Sequence, residues 1–183
     1  MGGTSRLSFH MVSSLDGFIA KPDGDVSWMH SKDQYDKGVT LTEGEITDFL
    51  QSIDCYVMGS KTYETALELG WPYGDVPVYV LTSRKLKAMR TSIKFYNGDL
   101  ELFLTKELKP KYKNVWMVGG SEVTSDFLNL GLADELVVSI LPVIVGGGIR
   151  FFDSIENQIE LHLKEEKAYS DGMVELTYEV RDQ

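Results

Sequence analysis

Between Asp54 and Leu130 short apolar runs alternate with helical patterns, each joined to the next by a short connection. That rhythm calls for a parallel sheet, because parallel neighbours need a crossover and a helix is the usual crossover. The predicted strands are Asp54–Met58, Val78–Leu81, Ile93–Tyr96 and Val115–Val118, with Leu7–Ser13 ahead of them. Helices are expected over 60–69, from an Asp99 cap to about Leu108, and over 121–130. Thr42 with Glu45 three residues later is a capping-box pair that opens a further helix through Leu50. The polar stretch Lys32–Lys37 reads as a solvated helix.

The rhythm changes near the C-terminus. Glu135–Val145 is a long β-rich run. Ile159, Leu161 and Leu163, and then Val174, Leu176, Tyr178 and Val180, alternate with polar residues around Ser170-Asp171-Gly172. This predicts an antiparallel hairpin closed by a tight Asp-Gly turn at one edge of the sheet. No repeat, low-complexity tract or long linker divides the 183 residues, which suffice for one core, so a single domain over 1–183 is expected.

Two strand-to-helix junctions carry the chemistry, Val57-Met58-Gly59-Ser60-Lys61-Thr62-Tyr63 and Val115-Trp116-Met117-Val118-Gly119-Gly120-Ser121-Glu122. In each, an apolar run stops at glycine and a hydroxyl residue opens a helix. Glycine lets a ligand approach the backbone, and the free N–H groups of a helix start attract anions. Two such cradles in one small α/β domain suggest a ligand with several phosphates, most simply a dinucleotide. Neither is a P-loop, since no glycine stands five residues before Gly59 and Ser60 separates Gly59 from Lys61. The Rossmann fingerprint is absent too, because Ser13-Ser14-Leu15-Asp16-Gly17 follows the first strand. An ordinary capped helix competes with the cradle at Ser60. Thr82-Ser83-Arg84 offers two hydroxyls and a guanidinium suited to bidentate phosphate binding, with a solvated loop arginine as the competing reading.

Charge and composition narrow the partners. A formal net charge of −10 argues against nucleic acid or an anionic membrane. The one cysteine, Cys55, lies in an apolar run and reads as a buried strand thiol. His10, His30 and His162 show no metal-ligand spacing, so no metal is expected and each reads as structural or superficial. No run approaches the roughly 18 apolar residues of a membrane span. Met1–Arg6 has neither the apolar stretch of a signal peptide nor the hydroxyl that a myristoylation pattern wants at position 6, so a cytoplasmic location is expected.

The same segments carry a resemblance. Ser14-Leu15-Asp16-Gly17, Trp28, Met58–Tyr63, Leu81-Thr82-Ser83-Arg84, Val118-Gly119-Gly120-Ser121, and Ala133-Asp134-Glu135-Leu136 with Pro142 and Gly146-Gly147-Gly148 run in order along essentially the whole chain. In that order they resemble the dihydrofolate reductase superfamily, on the branch of the riboflavin-biosynthesis reductase domain. The resemblance implies a three-layer α/β/α fold with a central mixed, mostly parallel eight-stranded sheet. It implies NADPH across the carboxyl ends of the strands. Ile19 and Ala20 would line the nicotinamide, and Gly59, Ser60, Lys61 and Thr62 would hold the pyrophosphate side. Thr82, Ser83 and Arg84 would receive the 2′-phosphate. Gly119 and Gly120, joined in the family by a cis peptide, would lie beneath the cofactor, with Ser121, Glu122 and Val123 on the helix start.

On the substrate side, counting from Trp28 makes Asp33 the nearest match to the family's acid, with Ser139 as the hydroxyl that hydrogen-bonds it. Asp16 is the second candidate acid, although Asp-Gly is also a turn pair. Phe18, Trp28 and Trp71 suggest a pocket for a flat heterocycle, against which core packing competes. Thr65 to Ser83 contains no Lys or Arg, so folate, with its carboxylate tail, is not the expected substrate. The expectation is an NADPH-dependent reductase of a pterin- or pyrimidine-like substrate. The alternatives are a riboflavin-pathway reductase acting on a 5-amino-6-ribosylaminopyrimidine phosphate, and a non-catalytic nucleotide-binding protein. The relatives pair, so a homodimer is expected.

Overall fold

A computed structural model describes residues 5–181; Met1–Thr4, weighed above for a leader or acyl signal, and Asp182 and Gln183 lie outside them. The elements in order are β1 (Arg6–Ser14), β2 (Phe18–Ala20), α1 (Glu43–Ser52), β3 (Cys55–Gly59), α2 (Ser60–Glu68), β4 (Val78–Leu81) and β5 (Ile93–Tyr96). There follow α3 (Leu100–Leu102), continued by a π-helical segment (Phe103–Leu108), then β6 (Asn114–Gly119), α4 (Ser121–Asn129), β7 (Glu135–Leu141), β8 (Ile149–Arg150), β9 (Leu161–Ala168) and β10 (Val174–Val180).

The eight-stranded sheet runs β5-β4-β3-β6-β1-β7-β10-β9. From β5 to β7 every neighbouring pair is parallel, and β10 and β9 then pair antiparallel at one edge. This is the mixed, mostly parallel sheet with a terminal hairpin that the alternation predicts. Strand alternation assigns the faces. Leu7, Phe9 and Met11 of β1, with Val115 and Met117 of β6, pack against Phe103, Leu104 and Leu108 and against Phe127 and Leu128 of α4. On the other face Tyr56, Met58, Val78 and Val80 pack against Tyr63 and Ala66 of α2, with Trp116 and Val118 alongside. Helices thus cover both faces of the sheet.

All the parallel strands point the same way, so Ser14, Gly59, Leu81, Gly119 and Leu141 end along one rim. Crossover connections leave that rim open, which is where open α/β sheets bind ligands.

Three segments depart from the sequence reading. Residues 32–37 are not a helix. They run along the β9–β10 hairpin without regular structure and turn at Asp36-Lys37, with the Tyr35 and Val39 amides donating to the carbonyls of Ser170 and Ala168 at 2.8 and 2.9 Å. The stretch lacks an apolar stripe to hold a helix on the core, whereas the hairpin edge offers free backbone partners. Gly38 permits the approach, since a Cβ there would collide with the Tyr169 backbone. The hairpin turn is three residues, Ser170–Gly172, closed by Tyr169 N–H to Met173 C=O at 2.8 Å, with Gly172 at φ +80°. Finally, β2 and β8 form a small separate sheet that periodicity did not reveal. At three and two residues they are too short to display a period.

Candidate functional site

The two glycine cradles lie side by side on the rim. Met58 of β3 pairs with Gly119 of β6 in the sheet register, which sets α2 and α4 starting next to one another. A Cβ on Gly59 would stand 3.2 Å from Val123 Cγ2, and one on Gly120 3.6 Å from Thr62 Oγ1, so each glycine faces the neighbouring helix's first turn. Neither α2 nor α4 has a side-chain cap on its N-terminal amides. Two uncapped helix starts on bare backbone leave free N–H groups side by side that could hold an anion. Gly119 has φ +100°, where a Cβ would press on Met11 Cε and Thr124 Oγ1 at 3.3 Å each, and the Gly119-Gly120 peptide is cis. Ser60 and Thr62 are half-buried and Lys61 exposed, while Ser121 and Val123 are half-buried beside exposed Glu122.

Thr82-Ser83-Arg84 leaves the end of β4, the strand next to β3, with the Arg84 amide donating to Thr82 Oγ1 at 3.1 Å. The Arg84 guanidinium grips Glu64 of α2 through both Nη atoms, at 2.8 and 2.7 Å. It is therefore placed for bidentate anion binding but shares its fork with a carboxylate of its own chain. Ile19 is half-buried and Ala20 buried on β2, beside the rim. A Cβ on Gly148 would collide with the Ala20 carbonyl, so the glycine run 146–148 lets that loop close against β2. These residues fit a phosphate-bearing dinucleotide, with Gly119 and Gly120 at the point where bare backbone is needed.

The substrate side differs from expectation. Asp16 is a loop organiser. Its Oδ1 accepts from Ser14 Oγ at 2.6 Å and the Val145 amide at 3.0 Å, and its Oδ2 from the Gly146 amide at 2.8 Å. The Ser14 hydrogen bond, helped by the two amides, pulls its pKa down to about 2, so it is not a proton donor at neutral pH. Asp33 is exposed and lies against Gly172 in the hairpin turn, and it makes no hydrogen bond to Ser139. The irregular run of residues 32–37, docked on the hairpin, carries it outward. Trp71 is a core residue rather than a pocket wall: it is buried edge-on to Tyr63 and Tyr73, and its Nε1 donates to Gly74 C=O at 2.9 Å. Phe18 stays half-buried on β2 beneath the Arg150 guanidinium, 5.7 Å from the ring centre. Trp28 is half-buried, and its Nε1 is shielded from solvent with no hydrogen-bond partner.

Sequence reasoning singled out Ser139 but gave it Asp33 as its acid and missed its actual partners, which form the main polar cluster on the sheet. Ser139 of β7 donates to Glu175 Oε2 at 3.0 Å and lies 3.3 Å from His10 Nε2 of β1. That His10 nitrogen is also 3.4 Å from Glu175 Oε2, and Tyr169 O–H donates to Oε1 at 3.3 Å. His10 lies tilted against Trp116 and edge-on to Phe49, at ring separations of 5.4 and 5.5 Å, and its Nδ1 is buried without a partner. The hydrogen bonds, His10's first, hold the Glu175 carboxyl below its usual range against the opposing effect of burial. Histidine in a β-strand and Glu175 in an alternating hairpin looked like surface pattern. The pairing Glu175↔Ser139 appears only once β10 docks on β7. Cys55 is buried as expected, and burial pushes its thiol up to about 12, so it is no nucleophile.

Comparison with known proteins places this arrangement. Residues 6–175 match the family model of the RibD C-terminal domain. The uncharacterized protein YwjB of Bacillus subtilis (strain 168) is 32% identical over 177 residues, covering 94% of this chain and 97% of its own. Pig dihydrofolate reductase is 31% identical over 111 residues, 58% of each chain. Among solved structures, a Shewanella sp. PV-4 protein named for riboflavin biosynthesis superposes with TM-score 0.82 at 23% identity, over 97% of this chain and 99% of that one. The Thermotoga maritima diaminohydroxyphosphoribosylaminopyrimidine deaminase/5-amino-6-(5-phosphoribosylamino)uracil reductase gives TM-score 0.69 at 17% identity, and this chain spans 57% of its length.

Proposed function

The chain belongs to the RibD C-terminal domain family, and on that premise we propose that it is an NADPH-dependent reductase of a small pterin- or pyrimidine-like heterocycle. The observation that carries the reading is the meeting of two uncapped helix starts at Gly59 and Gly120, on a rim that also carries Arg84 after β4. The amides of Ser60, Lys61 and Thr62 and of Ser121, Glu122 and Val123 would hold the pyrophosphate. Thr82, Ser83 and Arg84 would take the 2′-phosphate, and Ile19 and Ala20 would flank the nicotinamide. When bound, that cofactor supplies hydride to a C=N or C=O bond of the substrate; the protein orients the two and excludes water.

Fluorescence titration with NADPH and NADH tests this. Wild type should prefer NADPH, and Arg84→Ala should erase most of that preference, since a charge-assisted hydrogen bond contributes about 1.5–3 kcal/mol. Binding of neither nucleotide would end the reductase reading and leave a shared fold.

A further inference from the structure

We infer that the chain carries a second ligand site, for a small organic dianion, at the end of the sheet opposite the proposed cofactor rim. The inference is independent of the reductase reading.

A cavity of about 630 Å³ opens where the parallel strands begin rather than where they end. Arg6 starts β1, Glu135 starts β7 and Val180 ends the antiparallel β10, and all three line it. Roughly 25 Å of β1 separates this end from Ser14 on the rim. The volume lies within the range of about 300–1,000 Å³ that small-molecule sites occupy. Leu104, Leu132 and Val180 give the cavity an apolar side.

The charges decide what would enter. Arg6, Lys109, Lys164 and Arg181 face three carboxylates, Asp134, Glu135 and Glu179, around the cavity of a chain whose net charge is −10. Each carboxylate is engaged. Glu135 takes the Arg6 guanidinium on Oε2 and Ser8 Oγ on Oε1, the latter at 3.0 Å. Asp134 Oδ2 accepts from the Leu7 amide at 2.7 Å, which ties the loop before β7 to β1. Glu179 holds Lys164 at 3.2 Å.

Lys109 and Arg181 remain, and neither makes an ion pair among the described residues. Both are anchored. The Arg181 amide donates to Glu160 C=O at 3.0 Å, and its Nη2 lies 3.4 Å from His162 Nδ1. The Lys109 amide donates to Leu104 C=O at 2.9 Å, at the end of the π-helical segment. A guanidinium fork and an ammonium point charge are the two cations that suit oxyanions. Two unmatched positive charges on one cavity call for a ligand with two negative ones, and the apolar side suits a carbon body.

Amide-resolved NMR titration of the full chain with succinate and with methyl phosphate, against uncharged succinamide, tests the site. Either dianion should shift the amides of Leu132, Ala133, Asp134 and Arg181 saturably, and succinamide should not. Arg181→Gln and Lys109→Gln should each weaken the dianion about tenfold or more, the loss expected for one charge-assisted hydrogen bond. Arg84→Ala, at the other end of the sheet, should leave its affinity unchanged. Shifts confined to residues 59–62 and 119–123, equal shifts with succinamide, or no saturable shift with either dianion overturns the inference. Wild-type affinity in Arg181→Gln also overturns it, and should that variant fail to fold, wild-type affinity in Lys109→Gln does so. NADPH binding is measured separately, and none of these results bears on it.

Discussion

Arg84 can offer the Nη fork that grips Glu64 to a phosphate only by letting go of that carboxylate. Both partners are about half exposed, and an exposed pair contributes roughly 0–1 kcal/mol. A phosphate held by the same fork contributes about 1.5–3 kcal/mol, so the ligand wins the exchange. Glu64→Gln should therefore tighten NADPH severalfold and leave NADH nearly unchanged, a difference fluorescence titration can resolve; looser NADPH binding would mean that Glu64 positions the arginine instead. Asp16 makes a pH prediction. Its folded-state pKa is depressed to about 2, so its contribution to stability is complete above the ordinary carboxylate value of 3.8 and is lost as pH falls through about 2. Thermal melts from pH 5 to pH 2 should show wild type losing its advantage over Asp16→Asn across that window. Parallel curves would show that Asp16 does not tie the 145–146 loop. Both residues stood out in the sequence as chemistry-bearing. Only their partners tell apart an anion fork already engaged by a carboxylate and an acid used up in a turn.

The elements were legible where hydrophobic pattern and punctuation agreed. The Thr42–Glu45 capping box forms in both directions at the start of α1, and the strands that end at Gly59 and Gly119 run into α2 and α4 as the glycine and hydroxyl residues indicate. Where pattern was weak, tertiary pairing took over: residues 32–37 gave up a helix for the edge of the hairpin. The β6–α4 junction offers the sharpest test at this scale. Gly119→Ala places a side chain at φ +100° against Met11 and Thr124, a conformation that costs on the order of 1–3 kcal/mol. We expect a lower melting temperature and loss of NADPH binding beyond what the melt explains. Unchanged affinity in a folded variant would remove the α4 cradle from the site.

At the scale of the whole molecule, α1 leaves Ile46, Phe49 and Leu50 at 42%, 40% and 41% exposure, with Leu41 at 42% beside them. A homodimer that covers this face should appear in light scattering at twice the chain mass of 20.6 kDa, and the mass of a single chain would end that expectation. The amino-acid sequence by itself determined the parallel sheet, its terminal hairpin and the two glycine cradles, because each is written in a short stretch whose period or punctuation acts locally. It also carried the family resemblance, since those local signals recur in a set order. Only the tertiary structure decided which polar side chains meet on one face of the sheet. Asp33 and Trp71 were drawn into the reading by their position along the chain, yet one went to the hairpin and the other to the core. His10, Ser139, Tyr169 and Glu175 are separated by as many as 165 residues, and strand pairing brings them together. Contacts between distant strands depend on register and docking, which no local pattern encodes.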